Sequence, residues 1–407
     1  MIGTSSPSTN AERRLFGWVP RRAAAVLVTA RAHTGALVLT GLLGLLGLIV
    51  SGCGATAAAG TGSTAAAAVA PATLTVPTGP PAHMVTTTAS TPSTSSTSAT
   101  TSTSRSTTTT AKPPATPRTP VPPFAVGERT VSFVDPSRLV RFPGRAPEPR
   151  NLVTVIRYPA QGPADRFDVR DAAPQRGGGP FPLIVFGHGF AVTPAYYAEL
   201  LRTWARAGYV VAAPVFPLEN QHAPGGPDES DLVNQPRDMS LVITRMLAAN
   251  SNRHAFFAGL IDPRRIAVSG QSDGGETALA VAYDRFYIDR RVDAAIILSG
   301  AEIPGVGGFD FPSPSPPLLA SQGTADTINQ PKYTYQFFNL APQPKYLLRL
   351  LGAPHLPPYT YEQPQLGIVE RVTIAFLDHY LKRLGGSLTR MLAAGRVAGV
   401  SAIATHS

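Results

Sequence analysis

The chain has 407 residues, a net charge of +10, 15% charged and 43% hydrophobic residues, and one cysteine. Most of the excess charge precedes residue 124: up to Gly52 there are five Arg against one Glu, and from 53 to 123 Arg105, Lys112 and Arg118 stand without an acid. The remainder is close to neutral and has no basic stripe interleaved with aromatics, which argues against a nucleic-acid partner, and a lone cysteine rules out an intrachain disulfide or a thiolate metal site.

Residues 34–50 are almost wholly apolar and follow Arg13, Arg14, Arg21, Arg22 and Arg31. A charged stretch ahead of an apolar core is the pattern of an export signal, so residues 1–52 read as one. The core ends in Val50-Ser51-Gly52-Cys53, which resembles the lipobox of bacterial lipoproteins. That resemblance implies lipidation of Cys53 and a lipid anchor on the outer side of the cell membrane. The alternative is an uncleaved transmembrane anchor, for which the run is long enough. Arg13-Arg14 faintly resembles a twin-arginine signal but lies far ahead of the apolar core. Residues 53–123 are Ala, Thr, Ser and Pro with scarcely an aromatic. Such a composition cannot bury enough apolar surface to offset its ordering entropy, so a disordered tether, open to O-glycosylation, is expected.

Regular structure is expected over residues 124–385. Residues 129–134 and 152–158 alternate in polarity as antiparallel edge strands do. F-P-L-I-V-F at 181–186 is continuously apolar, the mark of a strand covered on both faces, and 209–213, 292–298, 318–320 and 346–350 read the same way. Helical spacing runs through 194–207, 231–249 and 365–384. Strands alternating with helices predict a mostly parallel central sheet with helices on both faces, an α/β fold. Residues 386–407 read as a weakly ordered tail or a small extra helix.

Ile266, Ala267 and Val268 lead into Gly270-Gln271-Ser272-Asp273-Gly274, and residues 277–283 continue as a helix. Strand, tight turn and helix with a serine at the apex form a nucleophile elbow: the glycines let the turn close, and the hydroxyl of Ser272 stands beside a helix N-terminus. A serine needs a base oriented by an acid, and in a doubly wound sheet both should follow strand ends. Asp326 and His355 qualify, in the order nucleophile, acid, base. Glu302 is the alternative acid. His188, His222, His254 and His379 are poorer bases by position, His188 serving better as a brace for its loop. The oxyanion donors are expected to be the backbone N–H of Asp273 and that of Phe190, in Gly187-His188-Gly189-Phe190. The Asp273 side chain should point along the first helical turn, where the macrodipole favours it. Residues 300–317 are too short and Pro-rich for a large lid, and Phe190, Tyr196, Tyr197, Phe309, Phe311 and Tyr359 are candidates to line an open cleft. No phosphate loop or metal-ligand cluster is present in the pattern, so neither cofactor nor metal is expected.

Together, G-H-G-F at 187–190, G-Q-S-D-G-G at 270–275, G-T-A-D-T-I at 323–328 and a histidine shortly before the terminal helix resemble the α/β-hydrolase superfamily, in its dienelactone hydrolase, platelet-activating-factor acetylhydrolase and bacterial cutinase-like branch. The resemblance implies an α/β-hydrolase fold and a serine esterase acting on a small-molecule or lipid-like acyl ester, with Ser272, Asp326 and His355 as triad. Asp273 stands where polyester-hydrolysing cutinases usually carry an apolar residue, and their domain disulfide is missing, which points away from polyesters. A peptidase or acyltransferase of the same fold, or an inactive envelope-binding domain, are the alternatives.

Overall fold

The structure, a computed structural model, describes residues 121–301, 306 and 309–405. The export signal with Cys53 and nearly all of the tether lie outside the described residues, as does Glu302. Among the described residues no helix is long and apolar enough to cross a membrane.

Polarity alternates along β1 (Ala125–Val140) and β2 (Glu148–Ala160), which pair antiparallel and form a long two-stranded ribbon. β3 (Asp168–Arg170) adds to the outer edge of β1. The continuous apolar runs form the interior: β4 (Phe181–Gly187), β5 (Val210–Pro214), β6 (Ile261–Gln271), β7 (Ala294–Leu298), β8 (Leu318–Gly323) and β9 (Lys345–Leu350). These pair in parallel in the order β5-β4-β6-β7-β8-β9, while β2 joins β5 antiparallel. β10 (Ser401–Thr405) closes the other edge against β9, also antiparallel.

Parallel strands need crossovers, and helices supply them. α1 (Ala198–Arg206) and α5 (Gln365–Tyr380) pack on one face with α6 (Ser387–Ala394), while α2 (Gln235–Ser251), α3 (Asp273–Tyr283) and α4 (Pro331–Leu340) cover the other. Successive strand residues therefore enter different cores. Leu183 and Val185 join Met239, Ile243 and Phe337 on the face of α2 to α4, whereas Ile184 and Phe186 join Trp204, Val372 and Phe376 on the opposite face. This is the α/β-hydrolase architecture expected from the sequence.

Residues 386 onward hold the small extra helix that the sequence allows and, beyond it, an edge strand that it does not announce. They carry α6, whose Met391 is buried, and edge strand β10, whose Ile403 joins the same core. The chain order reverses around β4, flanked by β5 on one side and β6 on the other. Such a switch point opens a crevice beyond the carboxyl ends of the strands.

Candidate active site

The site grows from the register of β4 and β6, which sets Gly187 opposite Gly270 at the ends of both strands. Immediately after β6, Ser272 adopts φ 56°, ψ −125°, a strained conformation that places its side chain at the tip of the turn. A Cβ on Gly270 would meet the carbonyl oxygen of Gly274 at 1.9 Å, and one on Gly274 would meet that of Gly187 at 2.1 Å, so only glycine closes the elbow at either place. The Ser272 N–H donates to Leu298 O at 3.0 Å, anchoring the turn to the end of β7.

Asp326 and His355 are brought together by the loops after β8 and β9, which are laced by backbone contacts. Thr324 N–H donates to Leu350 O, Ala325 N–H to Ala353 O, and Gly352 N–H to Thr324 Oγ1. The outcome is one chain of hydrogen bonds: Ser272 Oγ to His355 Nε2 at 2.9 Å, and His355 Nδ1 to Asp326 Oδ2 at 2.7 Å. Asp326 is buried and also accepts from Ile328 N–H at 2.9 Å and Gln322 Nε2 at 3.2 Å. With its oxygens held this way, the carboxylate fixes the imidazole with Nδ1 as donor, leaving Nε2 as the acceptor, which Ser272 Oγ approaches at 2.9 Å and Gln271 Nε2 at 3.3 Å.

The loop after β4 lies against the serine from the other side. A Cβ on Gly189 would stand 3.0 Å from Ser272 Cβ, so Phe190 directly follows a residue in contact with Ser272. Asp273 opens α3, where N–H groups have no partner within the helix. Of the residues expected to give the oxyanion donors, Asp273 thus follows Ser272 in the chain and Phe190 follows a residue in contact with it. His188 is wholly buried, its Nδ1 within 2.8 Å of Gly189 O and its Nε2 accepting from Phe216 N–H at 3.0 Å. Desolvation pushes its pKa down to about 4, so it holds the loop as a neutral ring.

Several residues behave differently from expectation. The Asp273 side chain sits at the first turn of α3, and its surroundings are what the sequence does not foretell. It is buried, with Oδ1 3.4 Å from Ser272 Oγ and the carboxyl group turned to Glu219, because the loop after β5 covers the start of α3. Of the expected cleft residues, Phe190 and Tyr196 are exposed, but Tyr197 and Tyr359 are buried and Phe309 and Phe311 pack on the core around Tyr283 and Phe337. Their hydroxyls explain the inward turn of the tyrosines. Tyr197 donates to Gln271 Oε1 at 2.7 Å and accepts from Gly189 N–H, and Tyr359 meets Ser299 Oγ at 2.9 Å.

Three supporting residues escaped the sequence reading. Gln271 ties the site together, accepting from Tyr197 and donating through Nε2 to the His355 carbonyl at 3.1 Å. Gln322 is held by Thr334 Oγ1 at 2.6 Å while it donates to Asp326. Glu219 is buried beside Asp273. Gln271 at least sits within the elbow motif, whereas Glu219 lies in a loop with no distinguishing pattern.

A family model described as chlorophyllase matches residues 168–308. The matched stretch spans the 187–190 loop, Glu219, Ser272 and Asp273 and ends before Asp326 and His355. Chlorophyllase-2 of Arabidopsis thaliana is 26% identical over 145 residues, covering 35% of this chain and 41% of that protein. The chain thus spans about two fifths of the length of that curated relative. Chlorophyllase is an esterase family of α/β-hydrolase type. The fold is accordingly that of the α/β-hydrolases, and the segment bearing Ser272 is similar to one of their esterase families.

Proposed function

We propose that the protein is a serine esterase of the cell envelope. Ser272 Oγ attacks the acyl carbonyl as its proton passes to His355 Nε2, and Asp326 stabilises the imidazolium that results. The oxyanion of the tetrahedral intermediate sits between the N–H groups of Phe190 and Asp273. His355 returns the proton to the departing alcohol, leaving an acyl-serine. Water, deprotonated by the same imidazole, then releases the acid. The observation that carries this reading is the unbroken chain of 2.9 Å and 2.7 Å from hydroxyl through imidazole to carboxylate at the strand ends.

Likeness to a chlorophyllase and the exposed rings of Phe190 and Tyr196 favour a lipid-like acyl ester. The motifs at 187–190, 270–275 and 323–328 also support kinship with the dienelactone hydrolase, platelet-activating-factor acetylhydrolase and cutinase-like branch. The sequence of residues 1–123 supports export, lipidation at Cys53 and a tether between membrane and enzyme. Turnover of p-nitrophenyl acyl esters of graded length is the test. Activity that depends on Ser272 supports the esterase, whereas fluorophosphonate labelling of Ser272 without ester turnover points to a peptidase or acyltransferase. Globomycin-sensitive processing, lost in Cys53→Ala together with membrane attachment, tests the anchor.

A further inference from the structure

Glu219 is fully buried and neither carboxyl oxygen receives a hydrogen bond from a donor group; Asp273 Oδ2 is in the same condition. The two side chains face each other. Unpartnered buried carboxylates are costly, and two in contact repel, but a single proton between them lifts the repulsion and satisfies one oxygen of each by turning one group into a donor for the other. Glu219 also reaches the second wall of the site, since its carbonyl accepts from Ala191 N–H at 2.9 Å and so fixes the residue after Phe190. One residue therefore touches both segments that flank Ser272.

We propose that Glu219 and Asp273 share one proton and that Glu219 is a positioning residue, holding Asp273 and the 187–191 loop around the nucleophile. The pair then carries one negative charge, not two, at neutral pH. Desolvation, reinforced by the charge of Asp273, raises the Glu219 pKa well above the usual carboxylate range, in the same direction as the geometry. The groups facing the pair are His355 from the loop after β9, Tyr197 from the turn before α1, Glu229 and Asp231 from the turn before α2, and Ser272. Glu229 and Asp231 favour the shared proton, and His355 opposes it from the side of Asp273. Its loss at alkaline pH sets a second charge beside the developing oxyanion and slows acylation.

The proposal rests on the esterase reading for its kinetic consequence but not for its direct test. In infrared difference spectra, the wild-type protein is expected to show a protonated-carboxyl C=O band at neutral pH that fades at alkaline pH and is missing in Glu219→Gln. That readout holds whether or not any ester is turned over. In kinetics, kcat/KM of the wild type should fall by about tenfold at alkaline pH. Glu219→Gln, which retains a donor toward Asp273, should lack that fall, and Glu219→Leu, which lacks a donor, should have about tenfold lower kcat than Glu219→Gln at neutral pH. Absence of the carboxyl band in the wild type, an unchanged band in Glu219→Gln, or an identical alkaline fall in that variant would each overturn the proposal.

Discussion

Gly270 approaches Gly274 so closely that a Cβ on the first would stand 1.9 Å from the carbonyl oxygen of the second. The contact is backbone to backbone, so no side-chain rotation relieves it. Gly270→Ala and Gly274→Ala are each expected to destabilise the fold by about 3 kcal/mol or more, read as a lower midpoint in urea unfolding, and to reduce fluorophosphonate labelling of Ser272.

His188 ties acid sensitivity to the loop beside Ser272. Its folded pKa is about 4 against an ordinary 6.5. Between those values the unfolded chain binds a proton that the folded chain does not, so stability rises with pH across this window and is lost on acidification through it. The loss amounts to about 3 kcal/mol between pH 6.5 and 4. His188→Leu strands the Gly189 carbonyl and the Phe216 N–H, lowering stability at neutral pH by about 2–4 kcal/mol. The same variant should lose the His188 share of the acid dependence, which unfolding midpoints at pH 7 and pH 5 will show.

Asp326 acts through the imidazole it holds. Asp326→Asn keeps the shape but favours the wrong tautomer, so kcat is expected to drop by about 10³–10⁴-fold with KM little changed. Steady-state kinetics on a p-nitrophenyl ester separates the two.

Far from the triad, Arg150 lies buried between Asp231 and Asp238, donating to Asp231 Oδ1 at 2.8 Å and Oδ2 at 2.6 Å and to Asp238 Oδ2 at 2.6 Å. It pins β2 to the start of α2 and to the turn before it. Removing the cation leaves buried Asp231 to the amide of Asn234 and buried Asp238 to Arg138, so Arg150→Ala should cost about 3 kcal/mol in chemical denaturation, more than loss of an exposed pair such as Arg129 with Asp171.

What could be read along the chain was local or periodic. The elbow is a five-residue turn, and Asp326 and His355 stand where a parallel sheet delivers its loops, so strand ends pointed to all three. α4 escaped because P-K-Y-T-Y-Q-F-F-N-L is rich in aromatics that suit a strand equally well, although Thr334, Phe337 and Phe338 form its buried stripe. β10 escaped because S-A-I-A-T becomes a strand only by pairing with β9. The direction of Asp273 and the role of Glu219 depend on a loop from β5 folding over the start of α3, a tertiary contact that leaves no periodic trace. The buried tyrosines Tyr197 and Tyr359 mislead for a related reason: an aromatic after a strand lines a cleft or fills a core according to where its hydroxyl finds a partner.

The proposed reaction turns on Ser272 as the nucleophile of an acyl-ester hydrolase. Its most direct test is turnover of a short-chain p-nitrophenyl ester by the wild type and by folded Ser272→Ala, assayed side by side. A loss of kcat of about 10⁴–10⁶-fold is expected in the variant. Equal turnover by the two proteins would contradict it.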